Sequence, residues 1–179
     1  MPTKRTVQQF LGYGIGGLLV LFLIPRWLFR LSRVFDPVTG IQLIPIDSLR
    51  VTVAVNLGVF GLLFGLWSIV VQNTIGKGGP LEVAGLEVSP KTQNLVITGP
   101  YRYTRNPMLF GACLFYYGIA IYLDSLIAFA AVALFMTFML IFVKLTEEPR
   151  LLKDFGSDYQ EYRRRVSMFI PWKQKRPEK

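Results

Sequence analysis

The sequence predicts an all-α integral membrane protein with about four transmembrane helices (or five) and a C-terminal amphipathic helix. Three observations predict it. Of 179 residues, 52% are hydrophobic and the mean hydropathy is +0.42, too apolar for an ordinary soluble domain. The apolar residues gather in runs of roughly 16 to 23, close to what a bilayer core of about 30 Å demands at about 1.5 Å per helical residue. The net charge of +9 lies largely at the ends of those runs and in the C-terminal tail, as expected of flanks facing anionic lipid head groups.

Segment one is expected from Val7 to Phe29. Lys4 and Arg5 precede it as in a signal peptide, but no small-residue cleavage pattern follows, so it reads as an uncleaved membrane segment. Gly12, Gly16 and Gly17 offer a face for close helix approach. Pro25 is expected to kink or end the helix, with Trp27 as an interfacial anchor. Arg30 to Arg50 reads as a loop, with turn signals at Asp36-Pro37 and Thr39-Gly40. Segment two, Val51 to Val71, carries Gly58, Gly61 and Gly65 as a second small-residue face.

Asn73 to Pro107 is polar and mixed. Gly76-Lys77-Gly78-Gly79-Pro80 is a flexible turn with one cation, and Leu81 to Val88 reads as a small surface hairpin. Segments three, Met108 to Leu123, and four, Leu126 to Val143, are slightly short for a mean bilayer. The tight turn Asp124-Ser125 makes them antiparallel neighbours. Pro149 is expected to end segment four near Glu147 and to open a new helix. In that helix Leu151, Leu152, Phe155, Tyr159, Tyr162 and Val166 recur at helical spacing, an amphipathic stripe for a membrane surface or a cavity roof. Four crossings put both termini and the Asn73–Pro107 loop on one side, which the basic tail assigns to the cytoplasm. Arg26, Arg30 and Arg33 then fall on the other side. A re-entrant first segment or a short crossing between Ile41 and Arg50 would change that count.

The chemistry-bearing residues form two clusters. Gly99-Pro100-Tyr101-Arg102-Tyr103-Thr104-Arg105-Asn106-Pro107-Met108 precedes segment three, and Glu147-Glu148-Pro149-Arg150-Leu151 follows segment four. A helical hairpin returns its two ends to one membrane face, so the clusters are expected to meet. Charged residues gathered at a membrane face are functional candidates, although snorkelling and surface ion pairs are the plainer explanation on residue type alone. Arginine forks, adjacent glutamates and the hydroxyls of Tyr101, Tyr103 and Tyr159 would together hold a small zwitterion carrying an aromatic ring. Histidine is absent, which excludes imidazole acid–base catalysis and histidine-ligated metal. Cys113, the one cysteine, reads as an apolar packing residue.

These two motifs, with Phe155-Gly156-x-x-Tyr159-x-x-Tyr162 after them, closely resemble the isoprenylcysteine carboxyl methyltransferase superfamily, which also includes the integral membrane phospholipid N-methyltransferases. Asn106 and Leu109 stand where many eukaryotic members have histidine and tyrosine, so the form resembles the bacterial and archaeal branch. The resemblance implies an S-adenosylmethionine-dependent methyltransferase. Its cofactor would lie against Tyr101, Arg105, Asn106, Pro107, Glu147, Glu148 and Tyr159, open to the cytoplasm. A lipophilic acceptor would enter from the bilayer.

The expected roles follow from the chemistry of methyl transfer, an in-line displacement that needs alignment more than a strong base. Arg105 or Arg150 would hold a carboxylate acceptor bidentately. Glu148 would be the base for an amine acceptor. Lys77 would hold a lipid phosphate, with Arg102 and Tyr162 also on the substrate side. Residues 1–98 are scaffold and cytoplasmic loop, 99–166 the cofactor-binding core, and 167–179 a basic tail. The alternatives are a phospholipid head-group N-methyltransferase, an NADPH-dependent membrane reductase using Arg102 and Arg105, and a non-enzymatic membrane scaffold.

Overall fold

The computed structural model describes residues 12, 14–77 and 92–172. Lys4 and Arg5, the Gly78–Pro80 turn, the expected Leu81–Val88 hairpin and the tail from Lys173 lie outside the described residues. Helix α1 runs Gly14–Thr39 and α2 Asp47–Val71; α3 is Pro107–Tyr122, α4 Leu126–Phe142 and α5 Glu148–Arg165. Three helical runs, Gly14–Thr39, Asp47–Gly76 and Leu126–Arg165, are long and apolar enough to cross a membrane, and α3 is a shorter apolar helix beside them. Their outward faces carry exposed Phe22, Leu63, Leu134 and Phe138, where a water-soluble protein would place polar groups. The chain is therefore an all-α integral membrane protein. Ile41–Ile46 form no helix, so no extra crossing is made there.

The prolines behave differently from expectation. Pro25 does not end α1. The helix widens into a π-turn over Leu19–Leu23, in which the Ile24 N–H donates to the Leu19 carbonyl, and then continues to Thr39. The stretch expected as a loop from Arg30 is therefore helical, with Pro37 inside it. Proline is tolerated in membrane helices when neighbouring groups satisfy the freed carbonyls. Here the Tyr116 hydroxyl donates to the Val20 carbonyl at 3.2 Å. The Thr39-Gly40 stop does operate: Gly40 is left-handed (φ 60°) and its N–H caps the Asp36 carbonyl at 3.0 Å. Pro149 stands in the first turn of α5, as expected, but the chain does not leave helical geometry before it: a π-turn over Val143–Glu147 joins α4 to α5, with the Glu148 N–H donating to the Val143 carbonyl. The real bend comes later, at Gly156 (φ 52°, ψ −125°), a conformation that favours glycine.

Packing centres on α3. It runs antiparallel to α2, with Gly111 set against Gly61 and Gly65, and Gly118 against Ala54 and Gly58. A second cluster, Leu28, Cys113, Tyr116, Ala120, Ala128, Val132 and Met136, joins α3 to α1 and α4. At the end of the molecule formed by the α3–α4 turn, Asp124 is left-handed (φ 52°) and Ser125 caps α4 by accepting from the Ala128 N–H. The Asp124 carboxylate accepts from the N–H groups of Leu43 (2.8 Å) and Ile44 (3.1 Å) and pairs with Arg50 at 3.2 Å. It thereby ties the α1–α2 linker to the α3–α4 turn and fixes the hairpins in register at one face. The two expected polar clusters lie at the opposite end.

Candidate active site

Each half of the site is held by local chemistry. Pro100 and the following residues make a short 3-10 turn over Gly99–Arg102. The chain then pairs with the segment after α5. Arg105 N–H donates to the Ser167 carbonyl (2.9 Å), and Trp172 N–H donates to the Tyr103 carbonyl (3.0 Å). The Thr104 hydroxyl and the Asn106 amide both donate to the Met168 carbonyl, at 3.2 and 2.9 Å. Tyr162, 5% exposed, donates its hydroxyl to the Tyr101 carbonyl at 2.7 Å. These bonds fasten the Tyr101–Asn106 corner to the C-terminal strap. Pro107 then starts α3, where its missing N–H costs nothing.

The clusters meet as expected. Arg105 Nη1 lies 2.5 Å from Glu148 Oε1, with both side chains about nine-tenths buried. Arg163, half exposed, reaches Glu148 Oε2 at 3.8 Å. The Arg105–Glu148 contact is close but off hydrogen-bond alignment. Arg105 Nε and Nη1 and Glu148 Oε1 are buried without an aligned partner among the described residues. Arg105 Nη1 and Glu148 Oε1 have each other as ion-pair partners, so among the described residues Arg105 Nε is the atom of the pair left without one. Glu147 lies in the π-turn that follows the apolar stretch Leu126–Phe142, at the polar end of that helical run, and burial raises its carboxyl above the ordinary range. Burial also raises the Tyr101 phenol, with the Glu147 charge adding to it.

All of this opens onto one cavity of about 720 Å³, within the size range of small-molecule sites. Tyr101, Arg105, Asn106, Pro107, Glu147, Glu148, Arg150, Tyr159 and Tyr162 line its polar mouth. Arg102 and Lys77 are exposed and lie outside the lining. The sequence did not reveal the mouth's other wall, where Gln72 donates to Thr92 at 2.7 Å beside Leu95 and Val96. Gln72 closes α2 and Thr92 lies in the mixed loop, so no periodicity joined them. The rest of the cavity is an apolar limb among the helices, with Gly16, Gly17, Leu66, Phe115, Met136 and Met139 on its walls.

A multi-helix membrane protein with a ligand-sized cavity that combines charged and apolar walls is the class that fold and site define. Residues 49–158 match the phospholipid methyltransferase family, and the chain belongs to that family. This agrees with the superfamily resemblance carried by the two motifs. A protein named methanethiol S-methyltransferase 1, from Bradyrhizobium diazoefficiens, is 36% identical over 74 residues. That match covers 41% of this chain and 25% of the relative's length. No solved structure matches the chain.

Proposed function

We propose that this chain transfers a methyl group from S-adenosylmethionine to a lipophilic acceptor that reaches the cavity from the bilayer. The observation that carries this reading is the cavity itself, which joins a buried Arg105–Glu148 ion pair to an apolar limb between membrane helices.

The residues present fit the cofactor. Its amino-acid end needs an anion for the ammonium and a cation for the carboxylate, and Glu147, Glu148 and Arg105 stand together at the mouth. Tyr101, Tyr159 and Tyr162 line the same mouth, where a flat ring can stack. When bound, S-adenosylmethionine supplies an electrophilic methyl group on a positively charged sulfur.

The chain's own part is alignment and water exclusion. The strap holds the Arg105 backbone, the α2–α3 seam holds the cavity wall, and the apolar limb keeps competing water from the acceptor. Arg150, also at the mouth, would orient an acceptor carboxylate, which needs no base. An acceptor amine must first lose a proton, for which Glu148 would be the base. The relative's name adds a thiol to the acceptor classes worth testing. The basic residues Arg163, Arg164 and Arg165 beside the mouth support a cytoplasmic opening.

The test is calorimetric titration of detergent-purified protein with S-adenosylhomocysteine, beside Glu148→Gln. Loss of one charge-assisted contact predicts a roughly 10- to 100-fold weaker affinity. Wild-type protein that is folded and binds none would overturn the reading. Methyl transfer from labelled donor to alkyl carboxylates, thiols and amine head groups then sorts the acceptor.

A further inference from the structure

Beside the reaction cavity lies a second apolar pocket of about 390 Å³ between α1 and α4, lined by Leu28 and Val132 and by the half-exposed Leu23 and Trp27. Ile24, Tyr116 and Phe135 line both cavities and form the partition. Of these three only Tyr116 has a polar anchor. Its ring is 2% exposed, and its hydroxyl is bonded to the Val20 carbonyl.

The sequence makes that acceptor available. In the π-turn the Ile24 N–H donates to Leu19, one residue beyond the α-helical register. The next donor in that register would serve the Val20 carbonyl, but it falls on Pro25, which has no N–H. Val20 therefore presents an unclaimed carbonyl toward α3. A buried phenol needs a partner, and this one fixes the ring in the wall between the cavities. Packing alone would be served as well by phenylalanine, which needs no freed carbonyl.

We infer that Tyr116 is a specificity-determining residue that sets how long an apolar chain the acceptor can carry, by closing the reaction cavity off from the second cavity. This rests on the reading that the apolar limb receives the acceptor. With the partition closed, the limb ends at the Tyr116 ring. With it open, the two cavities join and a chain several methylenes longer is admitted. No bond is made or broken in this role, so it affects chain-length selection and leaves the methyl-transfer chemistry as it is.

Two variants test it from opposite sides of the hydrogen bond. Tyr116→Leu removes the ring. Pro25→Ala leaves Tyr116 intact and restores a backbone donor for the Val20 carbonyl, so the hydroxyl loses its exclusive anchor. The probes are straight-chain alkanols from butanol to hexadecanol, offered to the full chain in detergent. Native mass spectrometry reads the longest member retained, with and without S-adenosylhomocysteine. The expected result is a wild-type cutoff, a cutoff several carbons longer for Tyr116→Leu, and a smaller shift in the same direction for Pro25→Ala. Two further buried methylenes correspond to roughly tenfold greater retention of the longer chain. A common cutoff in wild type and whichever variants fold overturns the inference. The alkanols carry no methyl acceptor of a particular class. Wild-type protein that fails to bind S-adenosylhomocysteine, with the length shift intact, would therefore sink the methyltransferase reading alone.

Discussion

A Cβ placed on Gly61 of α2 would lie 2.5 Å from the Phe115 nitrogen and 2.6 Å from the Gly111 carbonyl oxygen. A Cβ placed on Gly17 of α1 would meet nothing within 4 Å. Both glycines sit in apolar helices at small-residue spacing, and by sequence both faces read as surfaces for helix contact. The α2 face is a closed seam in which two backbones touch. The α1 face looks into the large cavity. Small residues let something come close, and whether that is a helix or a ligand depends on the partner face. Opposite Gly61 stands another glycine, Gly111, so the seam zips. Gly17 shares its cavity with Phe115, Met136 and Met139, side chains that wall a space without filling it.

The largest effect should come from breaking the seam. Gly111→Leu drives a side chain into the backbone of α2, where even a Cβ would lie 2.7 Å from both the Gly61 oxygen and the Gly65 nitrogen. Backbone on a packed helix cannot give way, so the cost should reach or exceed the roughly 3 kcal/mol at the top of the usual overpacking range. For a chain of this size that is a fall of about 6 to 12 °C in Tm, read by scanning fluorimetry in detergent. A fall of only a degree or two would mean that the seam is looser than its contacts imply.

The same change at Gly17 sharpens the contrast. Gly17→Leu meets no atom on entry and replaces a poor helix former by a good one, so Tm should hold or rise. The side chain instead occupies the apolar limb. Methyl transfer to a long-chain acceptor should fall by about tenfold, the equivalent of displacing some two methylenes, mainly through KM. Affinity for S-adenosylhomocysteine, titrated on the same preparation, should change by far less. Equal losses in both would place Gly17 at the cofactor end of the cavity.

The contrast also explains how much could be read from the sequence. The seam was legible because Gly58, Gly61 and Gly65 recur along one face of a clear apolar run. The meeting of Arg105 with Glu148 was legible because a tight turn at Asp124-Ser125 forces an antiparallel hairpin whose ends coincide. The prolines misled. Pro25 and Pro37 look like helix stops, but the helix runs through both: a π-turn precedes Pro25, and the Tyr116 hydroxyl bonds the Val20 carbonyl that Pro25 cannot serve. Asp124 was read only as a turn residue, because its bonds to Leu43 and Ile44 span about eighty residues of chain. The strap after Val166 was missed for a similar reason. It has no periodicity, and its bonds to Tyr103–Asn106 become visible only once α5 bends at Gly156. The Asn106 amide is spent on that strap, so its motif position reflects the holding of the corner as much as the lining of the cavity.

The smallest effect tests the other half of the comparison, that charge belongs to the cavity and not to the seam. Burial raises the Glu147 carboxyl above its ordinary range, so it takes up its proton at a higher pH than the usual carboxylate value of about 4.3. A cationic ligand is held by the ionised form. Affinity for S-adenosylhomocysteine, whose ammonium stays charged over this range, should therefore be constant at high pH. It should weaken as pH falls through the raised value, with a slope of at most about tenfold per pH unit, the limit for one linked proton. Bound cation favours the carboxylate, so the complex should titrate at lower pH than the free protein. Glu147→Gln should flatten the profile at the weaker affinity, whereas Gly17→Leu should keep its slope. An unchanged slope in Glu147→Gln would move the titrating group elsewhere and leave Glu147 a buried neighbour of Tyr101 with no part in holding the ligand.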